Sequence, residues 1–325
     1  MSRRRATPRP GSARERVAGR VVAASGSIAV ALSLAATSGC GDGGRSSAPL
    51  YGVVAAMPSE EGAVLEYATI DEVREIEGRW FRIGRVGPTR VVVAMTGVGI
   101  ANARATARTL LSSFDLAGVV VSGVAAGRRG IGDVAVPGAW EGGDGLRTAC
   151  EPAWLDRARA QASAGRVALE YCTEIPGTAP LPGVQPGDVA CLAATPAVVT
   201  GGLGRSGDEA AGAAAECVPG GNDVFACDQE EPPPAPPSVG SASAAALLEA
   251  GATEVVASDM ETAAVATETA ARGLPFVAFR ASSDGPGDPL GLDGFLQFFA
   301  WYRLAARNAA AATAVFLDGL TPPAG

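Results

Sequence analysis

Short apolar runs alternate with Ala-rich, helix-like stretches along most of this chain. Runs of strand length occur at 51–56, 116–122 and 276–279, and helix-like stretches occur at 101–112 and 291–318. Continuous apolar strands separated by helices are typical of a parallel sheet that is covered on both faces. The pattern therefore predicts an α/β fold with a largely parallel central sheet flanked by helices.

Histidine is absent from the 325 residues, and all 26 basic residues are Arg. This composition excludes a Ser-His-Asp triad, a Cys-His pair and a His-ligated zinc ion. Acid–base chemistry must then come from Asp, Glu, Tyr, Cys or solvent, and we expect no metal site. The formal net charge of −8 disfavours a nucleic-acid partner, because such binders carry a basic face.

The first 39 residues resemble an export signal. An Arg-rich start precedes the apolar run 21–36, which ends in small residues and is short for a membrane span. Cys40 follows a small residue, as in the lipobox of bacterial lipoproteins, although Thr37 departs from the usual Leu-like residue. We expect lipidation at Cys40, a flexible tether over 40–49, and a chain anchored to the cell envelope. An ordinary cleavage site with an incidental Cys is the alternative.

Export changes the interpretation of the other cysteines, which lie at positions 150, 172, 191, 217 and 227. In an oxidising compartment they are disulfide candidates, and the odd number leaves at least one unpaired or paired elsewhere. The ten-residue separation of Cys217 and Cys227 suits a loop staple. Cys172 with Cys191 is the second predicted pair.

Three carboxyl groups follow predicted strands. Glu60 comes after strand 51–56, Glu261 lies in Asp259-Met260-Glu261 after an apolar run, and Asp284 ends the run that begins at Phe276. In open α/β sheets, ligands bind outside the carboxyl ends of the strands, so these acids indicate a small-molecule site. Helix capping and turn formation are the structural alternative.

Two Gly-rich segments also follow predicted strands. Thr96-Gly97-Val98-Gly99 precedes helix 101–112 and is suited to cradling an anion or polar ligand. It is a poor dinucleotide fingerprint, because the third Gly is absent, and we expect no cofactor. Gly123 to Gly127 and the following Gly132-Asp133 place small residues where a flat ligand can approach the backbone.

These motifs, in this order and spacing, resemble the nucleoside phosphorylase superfamily, and most of all its 5′-methylthioadenosine/S-adenosylhomocysteine nucleosidases. The resemblance covers about 51–137 and 247–318. It implies a single α/β domain over 50–320 with a central mixed sheet. It also implies cleavage of the N-glycosidic bond of a purine ribonucleoside.

The resemblance assigns roles to individual residues. Glu60 would activate water, and Asp284 would donate a proton toward purine N7. The substrate-binding candidates are Gly97, Ala125, Met260, Glu261 and Ser283. One acid and one base on opposite sides of the sugar support an oxocarbenium-like state. Asp284 then needs a raised pKa, whereas Glu60 must stay ionised.

Two other activities stay open. A phosphorylase would use phosphate in place of water, and Arg128 and Arg129 could contact it, although a solvated turn explains them as well. Asn102-Ala103 stands where a phosphorylase usually shows a Pro-Ser-like pair, so hydrolysis is favoured. A nucleoside-binding lipoprotein without turnover is the third alternative.

Residues 138–246 depart from the superfamily and are rich in Gly, Pro and Ala. They hold the elements that would determine base specificity. Phe225, beside Cys227, would stack on a base or belong to the core. We also expect helices at 152–163 and 244–250. The aromatic cluster at 295–301 indicates core or a subunit contact, and a homodimer stays open.

Overall fold

The computed structural model describes residues 48–207, 214–228, 239–243 and 247–320. The predicted signal peptide, Cys40 and most of the predicted tether lie outside these residues. Within them, no helix is both long and apolar enough to cross a lipid bilayer.

The described chain contains fourteen strands and five helices, and up to five strands follow one another between helices. The strands are β1 Leu50–Ala55, β2 Ala68–Ile76, β3 Arg79–Val86, β4 Thr89–Met95, β5 Gly118–Gly127, β6 Val134–Val136, β7 Ala139–Glu141, β8 Arg147–Ala149, β9 Ala168–Glu174, β10 Val189–Cys191, β11 Val198–Ser206, β12 Val239–Ser243, β13 Leu247–Asp259 and β14 Phe276–Asp284. The helices are α1 Pro58–Leu65, α2 Ile100–Ser113, α3 Pro152–Ser163, α4 Thr262–Ala270 and α5 Phe295–Asp318.

The main sheet has the order β2-β3-β4-β1-β5-β14-β6-β11-β7-β8. Its centre is parallel, because β4, β1, β5 and β14 pair side by side in the same direction. Antiparallel pairs add β2 and β3 at one edge and join β14 to β6. Strand β13 pairs with β11 in parallel and with the end of β5 in antiparallel. The predicted mixed, largely parallel sheet is therefore confirmed.

Both faces of the central strands are buried, as their continuous apolar sequences require. Side chains alternate between faces along a strand, so adjacent residues enter different cores. Val53 packs with α5 residues such as Phe316, whereas Val54 packs with Leu110 of α2 and Val265 of α4. The parallel strands thus form a rigid layer whose carboxyl ends all lie at one edge.

Local predictions have mixed outcomes. Helix α3 spans the predicted 152–163. The helix predicted at 244–250 is wrong for residues 247–250, which lie in strand β13. Residues Leu247 to Ala250 pair with Val198 to Gly201 of β11. This long-range strand pairing overrides the local helical preference of an Ala- and Leu-rich segment.

Both predicted disulfides are present. Cys172–Cys191 joins β9 to β10 in a second, three-stranded sheet that also contains β12. Cys217–Cys227 joins two cysteines ten residues apart and closes a loop. Cys150 is buried and free. We call residues 214–228 the disulfide loop.

Candidate active site

Glu60 lies in the first turn of α1, directly after β1, and its carboxylate is held by backbone groups. Oε2 accepts hydrogen bonds from the N–H groups of Ala56 at 2.6 Å and Met57 at 3.1 Å. Oε1 accepts one from Val124 of β5 at 2.6 Å. Burial raises the pKa of Glu60 above its ordinary value, while Arg280 and these three N–H groups oppose the rise.

Glu261 is the N-cap of α4 and reaches across to the Gly-rich turn before α2. Its Oε1 accepts a hydrogen bond from the N–H of Gly99 at 2.8 Å. Its Oε2 lies 2.8 Å from Nη2 of Arg280, and both side chains are buried. Burial raises the pKa of Glu261 to about 7, with the Arg280 guanidinium opposing and the Asp259 carboxylate adding to the rise.

Arg280 on β14 is the centre of this charge cluster. Its Nη2 also lies 2.5 Å from Asp259, and its Nη1 lies 3.7 Å from Oε1 of Glu60. Burial tends to lower the pKa of Arg280, but the three carboxylates outweigh it and raise the pKa. Within the described chain, Nη1 and Nε of Arg280 donate no hydrogen bond. The guanidinium thus keeps two buried donors, and one of them, Nη1, faces Glu60.

Asp284 ends β14, four residues beyond Arg280. It is half-buried, and its Oδ1 accepts a hydrogen bond from Oγ of Ser283 at 2.8 Å. Burial raises the pKa of Asp284, and the Ser283 hydroxyl opposes that rise. A carboxyl with a raised pKa and an exposed face is suited to donating a proton.

Three consecutive residues of β5 connect the two halves of the site. Val124 binds Glu60, the carbonyl oxygen of Ala125 lies 3.4 Å from Oγ of Ser283, and Ala126 pairs with Asp284. Glu60 and Asp284 are therefore at the same end of the same strand. With Glu261 linked through Arg280, the three predicted acids meet at one edge of the sheet.

Gly123 allows this cluster to form. A Cβ at this position would lie 2.2 Å from Nη1 of Arg280 and 2.4 Å from Oε1 of Glu60. The Gly-rich end of β5 was predicted to let a flat ligand approach the backbone. At Gly123 the structure shows a different need, which is space for a carboxylate and a guanidinium.

A cavity of about 300 Å³ lies beside the two segments that bind the glutamates, although neither Glu60 nor Glu261 lines it. Ala56 and Val98 line it, and their neighbourhood supplies the N–H groups that bind Glu60 and Glu261. The predicted residue Gly97 also lines it. The opposite wall belongs to the disulfide loop, through Val224 and Phe225.

The remaining predicted residues occupy different positions. Met260 is half-buried beside Glu261, and Ala125 is buried in β5. Phe225 does not belong to the core, because 41% of its surface is exposed. Arg129 forms an ion pair with Glu254 at 3.1 Å, in agreement with a solvated turn.

Sequence reasoning missed Arg280 and Asp259 as parts of the site. Asp259 accepts hydrogen bonds from Ser206 and Thr262 while it pairs with Arg280, so it fixes the guanidinium in place. One signal was available: Arg280 interrupts a run that is otherwise apolar from Phe276 to Ala281, and a fully buried Arg requires a partner.

Comparisons with known proteins identify the family and the fold. A sequence profile described as the phosphorylase superfamily matches residues 50–195. An uncharacterized protein of Mycobacterium tuberculosis is 34% identical over 191 residues, which are 54% of this chain and 75% of the relative.

Solved structures share the fold. A 5′-methylthioadenosine/S-adenosylhomocysteine nucleosidase of Neisseria meningitidis, in complex with methylthio-immucillin-A, aligns with a TM-score of 0.55 and 21% identity, over 83% of this chain and 99% of its own. Futalosine hydrolase of Helicobacter pylori aligns with a TM-score of 0.55 and 16% identity, over 84% and 98%. An S-adenosylhomocysteine nucleosidase of Streptococcus pyogenes gives 0.56 and 18%, over 86% and 100%.

The profile match begins at β1 and includes Glu60, the Gly-rich turn before α2 and the end of β5, which are the segments that build the first half of the site. The aligned structures share the fold over 83–86% of the chain, which is more than the profile covers. The chain belongs to the phosphorylase superfamily.

Proposed function

We propose that the protein hydrolyses the N-glycosidic bond of a purine nucleoside, in the manner of a 5′-methylthioadenosine/S-adenosylhomocysteine nucleosidase. One observation carries the proposal: Glu60, Glu261 and Asp284 come from three distant segments and meet at the carboxyl end of β5 and β14. Glycosyl cleavage needs an acid on the base side of the sugar and a base on the water side, and this arrangement supplies both.

Glu60 is the proposed base that activates water. A carboxylate offers about four lone-pair positions, and backbone N–H groups fill three of them here. The remaining position belongs to Oε1, which faces the donor Nη1 of Arg280 across 3.7 Å. A water bound there accepts from Arg280 and donates to Glu60, so its proton can pass to the carboxylate as it attacks.

Asp284 is the proposed acid, and Glu261 is the proposed ligand of the ribose hydroxyls. The raised pKa of Asp284 favours its protonated form, which can donate to the purine as the bond breaks. Ser283 holds the carboxyl in one orientation. The carboxylate of Glu261 is fixed by Arg280 and by the N–H of Gly99, which leaves its free lone pairs for the sugar.

Water is favoured over phosphate as the nucleophile. Of the described residues that line the cavity beside Glu60, Arg79 alone is cationic. Its guanidinium already donates to the hydroxyl of Thr106 at 2.8 Å and to the carbonyl of Glu77 at 3.3 Å. Glu216 and Asp228 add negative charge to the lining, which opposes an anion. The structural neighbours named above are nucleosidases and a hydrolase.

The test measures adenine release from methylthioadenosine and adenosine by the purified full-length protein, with and without phosphate. We expect cleavage without phosphate and free ribose products. Asp284→Asn should lower kcat by about 10²-fold or more, because the acid can no longer donate its proton.

Asp156→Asn is the matched control, since this carboxylate on α3 is 76% exposed and lies outside the site. It should keep the wild-type rate. Strict dependence on phosphate, with ribose 1-phosphate as product, would establish a phosphorylase instead. Binding of a nucleoside without any product would support the non-catalytic lipoprotein.

The exported, lipid-anchored setting rests on residues 1–49 and stays a prediction, as does a homodimer. Retained membrane association of Cys40→Ser would argue against the anchor.

A further inference from the structure

The disulfide loop is part of the main body and not a free surface segment. Four elements hold it. The N–H of Ser59 on α1 donates to the carbonyl of Asp223 at 2.8 Å, and Nδ2 of Asn102 on α2 donates to the carbonyl of Ala215 at 2.8 Å. The other two contacts come from carboxylates in the loop.

Those carboxylates are Asp223 and Asp228. Asp223 accepts from Tyr302 at 2.5 Å and from Arg303 at 2.7 Å, both on α5. Asp228 accepts from Arg82 of β3 at 3.2 Å, and from the N–H of Trp80 at 3.0 Å. Together with Cys217–Cys227, these bonds make the loop a fixed wall of the 300 Å³ cavity.

The cavity and Asp284 lie at different points along the sheet edge. The strand order is β4-β1-β5-β14, and the cavity lies at the end of β4, through Met95 and Thr96, and of β1, through Ala56. Asp284 ends β14, three strand spacings from β4, or about 14 Å at 4.7–4.9 Å per spacing. The two glutamates that would contact the sugar lie between these points.

This order matches the parts of a nucleoside. If Asp284 meets the base, and Glu60 and Glu261 meet the sugar, then the cavity receives the group that projects from the sugar away from the base. That group is the substituent on the 5′ carbon. Phe225 therefore lies at the far end of the site from the expected position of the base.

The chemistry of the wall indicates which substituent fits. Met95 and Val224 are buried, and the ring of Phe225 is partly exposed beside them. A thioether or alkyl group gains from burial against such side chains. The carboxylates of Glu216 and Asp228 and the occupied guanidinium of Arg79 disfavour an anionic substituent.

We propose that the loop closed by Cys217–Cys227 forms the subsite for an uncharged, apolar 5′ substituent, and that Phe225 determines selectivity for it. The inference rests on the proposed nucleosidase function. It makes substrate selectivity depend on an intact disulfide.

The experiment compares two substrates that differ only at the 5′ carbon, methylthioadenosine and adenosine. The readout is the ratio of their kcat/KM values for the full-length protein. Phe225→Ala should lower this ratio about 10-fold or more, as expected when a pocket loses its contact with an apolar group. Reduction of the disulfide, or Cys217→Ser with Cys227→Ser, should lower the ratio in the same direction.

Tyr67→Ala is the matched control, because Tyr67 is 46% exposed and precedes Ala68, whose partner Val86 pairs with Thr89 at the amino end of β4, away from the cavity. Cys172→Ser with Cys191→Ser controls for loss of a disulfide elsewhere. Both controls should keep the wild-type ratio. If the loop cysteine variant fails to fold, Phe225→Ala alone tests the proposal. Because the ring of Phe225 is partly exposed, its removal should not prevent folding.

The outcomes separate the two proposals. Cleavage of both substrates with an unchanged ratio in Phe225→Ala would overturn the subsite assignment and leave the nucleosidase function intact. Absence of cleavage of any nucleoside by the wild type would overturn both.

Discussion

Two adjacent glutamates on α1 pair with two different buried arginines. Glu60 faces Arg280 of β14 at 3.7 Å, whereas Glu61 contacts Arg82 of β3 at 2.6 Å. The Arg82 guanidinium also binds Asp228, which anchors the disulfide loop. Consecutive helical residues point about 100° apart, so a single turn of α1 sends one carboxylate into the candidate site and the other toward the loop.

The two pairs differ in the hydrogen-bonding groups that remain available to a ligand. Backbone N–H groups bind Glu60, and Arg280 keeps Nη1 and Nε without a hydrogen bond to any described residue. The Arg82 guanidinium is engaged by carboxylates on both sides, Glu61 and Asp228. The first pair is suited to chemistry, and the second joins the loop to the body.

The largest expected effect separates the two glutamates by activity. Glu60→Gln should lower kcat for nucleoside hydrolysis by about 10²–10⁴-fold, because an amide cannot accept the proton of the attacking water. Glu61→Gln should lower kcat far less. Steady-state assays of adenine release measure both.

Glu72→Gln, an exposed carboxylate on β2, is the control and should match the wild type. Equal losses in the Glu60 and Glu61 variants would erase the distinction between the two pairs.

A smaller effect is expected from Gly123→Ala, measured as the free energy of unfolding in urea. The new methyl group would overlap Arg280 and Glu60, and such overpacking costs about 1–3 kcal/mol. Gly62→Ala lies on the same helix as Glu60, and its new Cβ meets nothing within 4 Å beyond its own helix. It should stabilise the protein by about 0.5–1 kcal/mol, because Gly is a poor helix former. A Gly123→Ala variant as stable as the wild type would refute the tight fit.

The last expected effect is a pH dependence of stability at Glu61. Burial raises the pKa of Glu61 from 4.5 to about 8, with Arg82 opposing the rise. The folded state then binds a proton that the unfolded state releases, so this group's contribution to stability falls as pH rises from about 4.5 through about 8. Glu61→Gln should remove that fall. Unfolding curves at pH 6 and pH 8 measure it.

In the same curves, the Glu72→Gln control should keep the wild-type slope. An unchanged slope in Glu61→Gln would mean that Arg82 holds Glu61 ionised throughout this range.

Local sequence patterns were sufficient for the framework. Continuous apolar runs such as 116–122 predicted buried parallel strands, and short spacing predicted the Cys217–Cys227 bond. The motifs around Glu60, Glu261 and Asp284 placed three acids at strand ends, and the sheet brings those ends together because its central strands are parallel.

Local sequence patterns failed where a segment's structure depends on residues that are distant in the sequence. Residues 247–250 have a helix-forming composition but pair with β11. Phe225 lay in a Gly-rich block without periodicity, and only the four anchors of the disulfide loop place its ring at a cavity beside the site.

The sequence by itself determined the α/β framework, both disulfides and the strand ends on which the acids lie, because these follow from periodicity and short-range spacing. The tertiary structure alone decided that Arg280 joins Glu60 to Glu261, that Gly123 leaves room for them, and that Arg82 binds Asp228, 146 residues away. Charge pairing inside a protein depends on which buried groups meet once the sheet has formed, and no local pattern encodes that meeting.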